Sequence, residues 1–194
     1  FYPHWEAGPA TATNHSASLG CEMDGLLRKS ATLPASAFIR APGHLTSSEA
    51  ATLPCAAVTA WAALLTRGCL IPGEHVLVQG TGGVAVFAVQ FAKAMGATVT
   101  VISSSDEKLV KIRELGADYT VNYREHPQWS DRVNELLDGE NTDLAIELGG
   151  AVTLAQTLQC LRVGGRISVI GVLSGNEAQP VSYTHLTLPT TEAV

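Results

Sequence analysis

Short apolar runs and longer amphipathic segments follow one another in a regular order from residue 74 onward. Strands are predicted over residues 76–79, 98–102, 119–122, 143–148 and 166–170, and helices over 84–95, 106–115, 129–137 and 152–161. Strands that alternate with helices of about 10–15 residues indicate βαβ crossovers and a parallel sheet. Because these strands are apolar on both faces, the pattern predicts an α/β fold, a doubly wound parallel sheet covered by helices on both sides.

The preceding part of the chain does not follow this order. Residues 1–45 are irregular and rich in Pro, Gly, Ala, Ser and Thr, with two short strand-like pieces within residues 26–40. Thr46-Ser47-Ser48-Glu49 has the spacing of a capping box and predicts a helix start. Pro54 is predicted to end that helix, and a second helix is predicted over residues 55–66, before Gly68.

Composition restricts the classes of partner. Against 18 Asp and Glu the chain has 12 Lys and Arg, a net charge of −6, and it has no basic cluster. Nucleic acid and anionic membranes are therefore poor partners. No uninterrupted apolar stretch reaches the roughly 18 residues that a membrane span needs, so we expect none. The first residues lack the basic and apolar regions of a signal peptide, and we expect a cytoplasmic protein.

The four cysteines, Cys21, Cys55, Cys69 and Cys160, show no C-x-x-C spacing. This argues against a structural zinc lobe and against a redox dithiol. We expect all four to be free thiols that pack as small buried hydrophobic residues.

A glycine-rich motif, Gly80-x-Gly82-x-x-Ala85, lies directly between the first predicted strand and the following helix. Gly80 permits the tight turn, Gly82 lets the backbone approach a pyrophosphate, and Ala85 lets helix and strand pack closely. The amides of Gly83 and Val84 open the helix, where they attract a phosphate. In this strand–loop–helix context the motif predicts a Rossmann-type dinucleotide-binding domain. The Lys-Ser/Thr pair of a triphosphate-binding loop is absent.

The end of the second strand bears on the choice of cofactor. It carries Ser103-Ser104-Ser105, with no acid at the position where NAD-binding domains hold the ribose 2′-OH. Asp106 follows where it would stabilise a helix N-terminus, and Lys108 lies one turn into that helix. Small hydroxyls with a nearby cation suit a 2′-phosphate and favour NADP(H). The alternative is that Lys108 is an ordinary solvated residue and that the cofactor is NAD(H).

These residues together resemble the medium-chain dehydrogenase/reductase superfamily, and within it the zinc-independent alcohol dehydrogenase-like and quinone reductase-like members. The resemblance covers about residues 20–175. It rests on LPCAAVTAW at 53–61, PGExVLVQGTGGV at 72–84, QFAK at 90–93, GA at 96–97, LGAD at 115–118 and NYR at 122–124.

The resemblance implies a domain organisation. Residues 1–45 would be the end of a GroES-like β domain, the catalytic domain, and residues 46–181 would be a truncated NAD(P)-binding domain with five of six strands. Residues 182–194 resemble translated sequencing-adapter read-through, and we expect this tail not to be native. We expect the chain to be an internal part of a roughly twofold longer enzyme, a homodimer with a small-molecule substrate.

The resemblance also implies positions around the cofactor. Thr59 and Gly171-Val172-Leu173 would line the nicotinamide, Gly149-Gly150 would cross near the ribose, and Ser104, Lys108 and Tyr123 would hold a 2′-phosphate. The residues expected to bind the cofactor are Thr59, Gly80, Thr81, Gly82, Gly83, Val84, Ser103, Ser104, Lys108, Tyr123, Gly149, Gly171, Val172 and Leu173.

The reaction implied is hydride transfer between the nicotinamide and an alcohol, carbonyl, quinone or enone, although the sequence identifies no catalytic acid or base. His75 precedes a strand, and Glu147 is expected to be a packed, hydrogen-bonded carboxylate. Cys55 lies where zinc-containing members place one ligand, so a zinc-dependent alcohol dehydrogenase is one alternative to our zinc-free reading. The other is a cofactor-binding segment that is inactive by itself.

Overall fold

The computed structural model describes residues 2, 8, 11–12 and 18–171. The chain divides into two compact units, Phe1–Cys55 and Ala56–Val194. Within residues 18–55 the first unit has a bridge between Leu19 and Met23, a 3-10 turn over Ala35–Ala37 and helix α1 over Ser47–Ala50. None of these residues is buried.

Helix α1 begins at the predicted capping box. The Thr46 side chain accepts a hydrogen bond from the Glu49 amide at 3.3 Å, and the Glu49 carboxylate accepts one from the Thr46 amide at 2.8 Å. The strand-like pieces predicted within residues 26–40 do not form strands, and Ala35–Ala37 is a 3-10 turn instead. An apolar run becomes a strand only where a neighbour pairs with it. The assignment of residues 1–45 to a GroES-like domain stays a prediction.

Helix α1 ends at Ala50, before Pro54 as predicted, and the second helical segment begins at Leu53, two residues earlier than predicted. Pro54 lies in a π-helical turn, Leu53–Ala57, which continues into helix α2, Val58–Trp61, and a second π-helical turn, Ala62–Thr66. Proline is tolerated there because the first turn of a helix does not use the amide that proline lacks.

We expected no stretch of the chain to be long and apolar enough to span a membrane, and the helical segment Ser47–Thr66 shows that this expectation is wrong. Its 20 residues, with a mean hydropathy of 1.3, are long and apolar enough by length and composition to cross a membrane. Core helices have the same property, and here Ala60, Ala63 and Leu64 are buried in the core of the second unit. We therefore attribute the apolar character of residues 57–66 to core packing.

The second unit is built on a parallel sheet of five strands in the order β3-β2-β1-β4-β5. The strands are β1 His75–Gln79, β2 Thr98–Ser103, β3 Tyr119–Asn122, β4 Thr142–Glu147 and β5 Leu161–Val169. The helices are α3 Gly83–Ala94, α4 Asp106–Glu114, α5 Trp129–Leu136 and α6 Ala151–Cys160. The predicted α/β, Rossmann-type doubly wound fold is confirmed.

Strand β5 begins at Leu161 rather than at the predicted Arg166. Its pairing with β4 changes register between Thr142 and Leu144, and Gly164 within it has a φ of +77°. The sequence pattern did not indicate a strand there because the glycines at 164 and 165 interrupt the apolar run.

The core has two layers, one on each face of the sheet. In β1, Val76 and Val78 belong to the layer that contains helix α3, whereas Leu77 belongs to the layer that contains Trp129 and Val133 of α5. All five residues of β1 are buried. The alternation of side chains along a strand therefore fills both layers, as a doubly wound sheet requires.

Charged residues stabilise the amino ends of the strands. Arg166 binds Glu74 just before β1, and Arg162 binds Asp143 at the start of β4. The Asp143 carboxylate also accepts a hydrogen bond from the His75 amide at 2.8 Å. These contacts join β1, β4 and β5 at the edge opposite to the glycine motif.

Gly68→Ala is expected to lower the free energy of unfolding by about 1–3 kcal/mol, the usual cost of overpacking. A Cβ atom at Gly68 would lie 2.3 Å from the Ala63 carbonyl oxygen and 2.6 Å from that of Leu64, and these backbone atoms have little room to move. Gly43→Ala is the control, because in the described part of the chain no heavy atom lies within 4 Å of a Cβ there. Urea unfolding measures both variants, and equal stability of the two would contradict the packing argument.

The free energy of unfolding is expected to fall as the pH decreases from 6.5 to 4. The reason is that burial lowers the pKa of His75 from 6.5 to about 4, although the Asp143 carboxylate acts to raise it. Neutral His75 contributes fully above pH 6.5, and its contribution, at most about 3 kcal/mol, is lost as the pH falls toward 4. In urea titrations, His75→Gln should flatten this slope, and an unchanged slope would refute the assignment. Burial by itself would raise the pKa of Asp143, but its hydrogen bonds to the His75 amide and Arg162 together outweigh burial and lower the pKa below 3.8. The contribution of Asp143 is therefore lost only below pH 3.8, in a separate window.

Candidate functional site

A cleft of about 700 Å³ opens at the carboxyl ends of the strands, where the chain order reverses between β1 and β4. Open α/β sheets bind ligands at such a switch point, because the loops that follow the two strands diverge there. The cleft is lined by Gln79, Gly80, Gly82, Gly83, Val84, Ala85, Ile102, Tyr123, Pro127, Trp129, Leu148, Gly149, Val152, Thr153 and Gln156.

The glycine motif forms the turn from β1 into α3. Gly80 has a φ of +76°, which favours glycine, and its amide donates to the Ile102 carbonyl at 2.7 Å. Gly82 is the N-cap of α3 and, as a glycine, has no side chain with which to cap the first turn. A Cβ atom at Gly80 or at Gly82 would meet no heavy atom of the described residues within 4 Å. The loop therefore offers open backbone and helix amides to a phosphate, and a dinucleotide fits here.

The other small residues of the motif serve packing. Ala85 is fully buried in the core layer that contains α3. A Cβ atom at Gly83 would lie 3.3 Å from the Ala56 Cβ. These contacts fix the start of α3 close to the sheet.

Glu147, the last residue of β4, is completely buried beside the cleft. Within residues 18–171 its carboxylate accepts hydrogen bonds from the side chains of Gln79, Thr153 and Thr157, each at 2.6 Å, and from the amides of Gly149 and Gly150, each at 2.9 Å. The carboxylate is thus hydrogen-bonded within the protein and does not line the cleft. This geometry agrees with the reading of Glu147 as a packed carboxylate.

Sequence reasoning missed Gln79 and Thr157 as partners of this carboxylate. A signal was present, because Gln79 and Glu147 are polar residues that each end an otherwise largely apolar strand. The pairing of Val78 with Ile146 then places the two ends side by side.

The ends of β2 and β3 meet at the far side of the cleft. The Tyr123 amide donates to the Ser103 carbonyl at 3.0 Å, and Tyr123, 39% exposed, lines the cleft. Ser105 caps α4, accepting from the Lys108 amide at 3.5 Å, and the Lys108 side chain is exposed. The nearest acid, Asp106, accepts a hydrogen bond from the Asn122 side chain at 2.9 Å.

The structure brings six of the predicted site residues together in the cleft wall, namely Gly80, Gly82, Gly83, Val84, Tyr123 and Gly149. Six others do not line it, namely Thr59, Thr81, Ser103, Ser104, Lys108 and Gly171. Val172 and Leu173 lie outside the described residues.

An apolar wall of the cleft was not predicted. Trp129 comes from α5 and is 3% exposed, whereas Val152 of α6 is 73% exposed. Ile102, Leu148 and Pro127 complete this wall. Nothing in the local sequence distinguishes these residues from ordinary amphipathic positions, so no signal could have found them.

The cysteines bear on the zinc alternative. The prediction that all four are buried holds for Cys160 alone, whose pKa burial raises to about 12; Cys21, Cys55 and Cys69 are exposed. Cys21 and Cys55 belong to the first unit, in which none of residues 18–55 is buried, and Cys69 directly follows a turn and has a φ of +48°. Among the residues that the structure describes, no three His, Cys, Asp or Glu side chains are grouped to hold a metal ion. The described residues by themselves do not fit a zinc ion.

Comparison with known proteins gives two close relatives. The chain is 46% identical over 182 residues to a zinc-type alcohol dehydrogenase-like protein of Schizosaccharomyces pombe, covering 93% of this chain and 52% of that protein. A crystal structure described as an alcohol dehydrogenase from Sinorhizobium meliloti matches with a TM-score of 0.81 and 45% identity, over 90% of this chain and 51% of that one. The chain therefore spans about half the length of these relatives.

Two further solved structures differ in the cofactor that they name. An NAD-dependent alcohol dehydrogenase matches with a TM-score of 0.70 and 34% identity, over 76% of this chain and 43% of that one. A mycobacterial protein in complex with NADPH matches with a TM-score of 0.70 and 33% identity, also over 76% of this chain, and 45% of that one.

The sequence profile of a family described as zinc-binding dehydrogenase matches residues 83–192, more than half of the chain. With the close relatives above, this match makes the chain a member of the zinc-binding dehydrogenase family, within the medium-chain dehydrogenase/reductase superfamily.

Proposed function

We propose that the protein is an NADP(H)-dependent oxidoreductase that exchanges hydride with an alcohol or carbonyl, or with a quinone or enone. The observation that carries the proposal is the open glycine loop, which presents the uncapped start of α3 to a cleft at the switch point of the sheet. A bound nicotinamide supplies the hydride, while the protein binds it, orients it and excludes water.

The residues of the cleft have complementary chemistry for a dinucleotide. The backbone at Gly82 and the first amides of α3 would hold the pyrophosphate, because a helix N-terminus favours negative charge. The wall that includes Trp129 and Ile102 suits a flat ring. Thr59 and Gly171–Leu173, by resemblance, would lie at the nicotinamide.

The preference for NADP(H) over NAD(H) rests on the end of β2. Ser103 and Ser104 stand where an NAD-binding domain would carry an acid, and Asp106 is engaged by Asn122. Lys108 is exposed on α4, and Tyr123 lines the cleft. A 2′-phosphate gains from such a cation and hydroxyls. Since relatives of both kinds exist, NAD(H) is the alternative outcome.

Zinc independence is a further part of the proposal. It rests on the donor set within residues 18–171, where Cys55 is exposed and no metal-binding group is found. The second candidate is a zinc-dependent alcohol dehydrogenase with Cys55 as one ligand, which the zinc-type relative favours. Metal analysis of the whole protein decides between them, because only the second requires stoichiometric zinc.

The remaining parts of the proposal concern the whole protein. We propose a cytoplasmic homodimer, and we propose that these 194 residues bind the cofactor without turnover. The resemblance implies that the substrate pocket is built mainly by a catalytic domain, and the chain spans about half the length of its relatives.

Gly82→Val is expected to weaken NADPH binding at least tenfold, because the new side chain would enter the open space that the pyrophosphate needs. The measurement is the fluorescence change of NADPH on titration with protein. Gly43→Val is the control, since Gly43 does not line the cleft and no heavy atom of the described residues lies within 4 Å of a Cβ there. If Gly82→Val binds NADPH as tightly as the parent, the phosphate loop has been misassigned.

Lys108→Gln is expected to weaken NADPH binding about five- to tenfold and leave NADH binding unchanged, because only NADPH has the 2′-phosphate. Lys111→Gln on the same helix is the matched control, since the Lys111 ammonium is paired with Glu107 at 2.6 Å. Titrations with both cofactors make the comparison. Equal loss for NADH and NADPH, or equal effects of the two substitutions, would remove Lys108 from the site.

A further inference from the structure

The buried carboxylate of Glu147 is unusual because its partners are neutral. Within residues 18–171 it accepts hydrogen bonds from two hydroxyls, two backbone amides and one side-chain amide, and from no cation. A buried charge is costly unless its hydrogen bonds are all made, and an apolar residue would avoid that cost. The carboxylate therefore calls for a role beyond filling space.

Gln79 extends the network to the cleft. Its side-chain nitrogen donates to Glu147 and to the Thr157 hydroxyl, each at 2.6 Å. Its side-chain oxygen accepts from the amides of Leu148 and Gly149, at 3.2 Å and 2.9 Å. Glu147 and Gln79 thus engage all three amides of the turn at residues 148–150.

This engagement determines what the turn offers to a ligand. Leu148 and Gly149 line the cleft, but their N–H groups are bonded to the network behind them. A ligand therefore packs a ring or an apolar group against the cleft side of the turn. A phosphate would find no free N–H group of Leu148 or Gly149 to bind there.

The turn packs tightly against the hydrogen-bond network of Glu147 and Gln79. A Cβ atom at Gly149 would lie 2.3 Å from the Thr153 hydroxyl oxygen and 3.1 Å from the Gln79 side-chain oxygen. The backbone of Glu147 also fixes the segment after β5, since its carbonyl accepts from the Gly171 amide at 3.2 Å. Small shifts of Glu147 would therefore move both the turn at residues 148–150 and the segment after β5.

We propose that Glu147, acting through Gln79 and Thr157, is a positioning residue that sets the turn at residues 148–150 as the ring-packing wall of the cofactor cleft. The inference rests on the proposed function, because this wall would contact the same dinucleotide at a part other than its phosphates. Neither Glu147 nor Thr157 lines the cleft, so their effect on binding passes through the turn.

Thr157→Val tests the proposal in the 194-residue chain. Valine keeps the shape but removes the hydroxyl that donates to Glu147 and accepts from Gln79, and Thr157 is fully buried. The dissociation constant for NADPH, from fluorescence titration, is expected to rise about tenfold. Thr157→Ser, which restores the hydroxyl, should bind within about twofold of the parent, and Glu147→Gln should weaken binding in the same direction as Thr157→Val.

Thr142→Val is the matched control. Thr142 is fully buried at the other end of β4, and its hydroxyl has no hydrogen-bond partner in the described part of the chain. This substitution should leave NADPH binding unchanged, and thermal melting of all variants separates stability from binding.

The outcomes separate the two proposals. If Thr157→Val binds NADPH as the parent does while Gly82→Val does not, the positioning role is overturned and the proposed function stands. If Thr157→Val fails to fold beside a folded Thr142→Val, the network is purely structural and the positioning role is again overturned. If the folded parent chain binds neither NADPH nor NADH, the proposed function fails, and the inference fails with it.

Discussion

The pairing of β1 with β2 on one side and β4 on the other is the constraint from which the rest of the second unit follows. Since the strands are parallel, each connection must cross back over a face of the sheet, and helices cover both faces. The side chains of β1 consequently alternate between two core layers, with Val76 and Val78 in one and Leu77 in the other. The crevice between the ends of β1 and β4 is a product of this topology.

The two edges of the sheet differ in their chemistry. At the amino edge, the carboxylates of Glu74 and Asp143 are paired with arginines from β5. At the carboxyl edge, the Glu147 carboxylate is held by neutral donors, and the glycine loop leaves the start of α3 uncapped. The carboxylates that are paired with arginines thus lie at the edge away from the cleft, while the edge at the cleft offers backbone dipoles and an apolar wall. This division suits a ligand that brings both phosphates and flat rings.

Particular elements show how far the sequence could be read. The strand β3, Tyr119–Asn122, has its predicted bounds, because its aromatic and β-branched residues follow Gly116 and Asp118 and end at Asn122. The predicted start of β5 was wrong, since whether glycines are tolerated in an edge strand depends on the neighbouring backbone. Three cysteines that composition alone would bury are exposed. In each case local preference was overridden by what surrounds the residue.

The order of strands and helices, the parallel sheet and the glycine loop could be predicted from the amino-acid sequence, because periodicity and motif spacing act over a few neighbouring residues. Which distant residues share the site depends on the folded chain. Gln79, Trp129, Glu147 and Thr157 lie up to 78 residues apart in the chain, yet they form the cleft wall and the network behind it. Their convergence depends on strand pairing and on the packing of α5 and α6 on one face of the sheet, which no local pattern encodes.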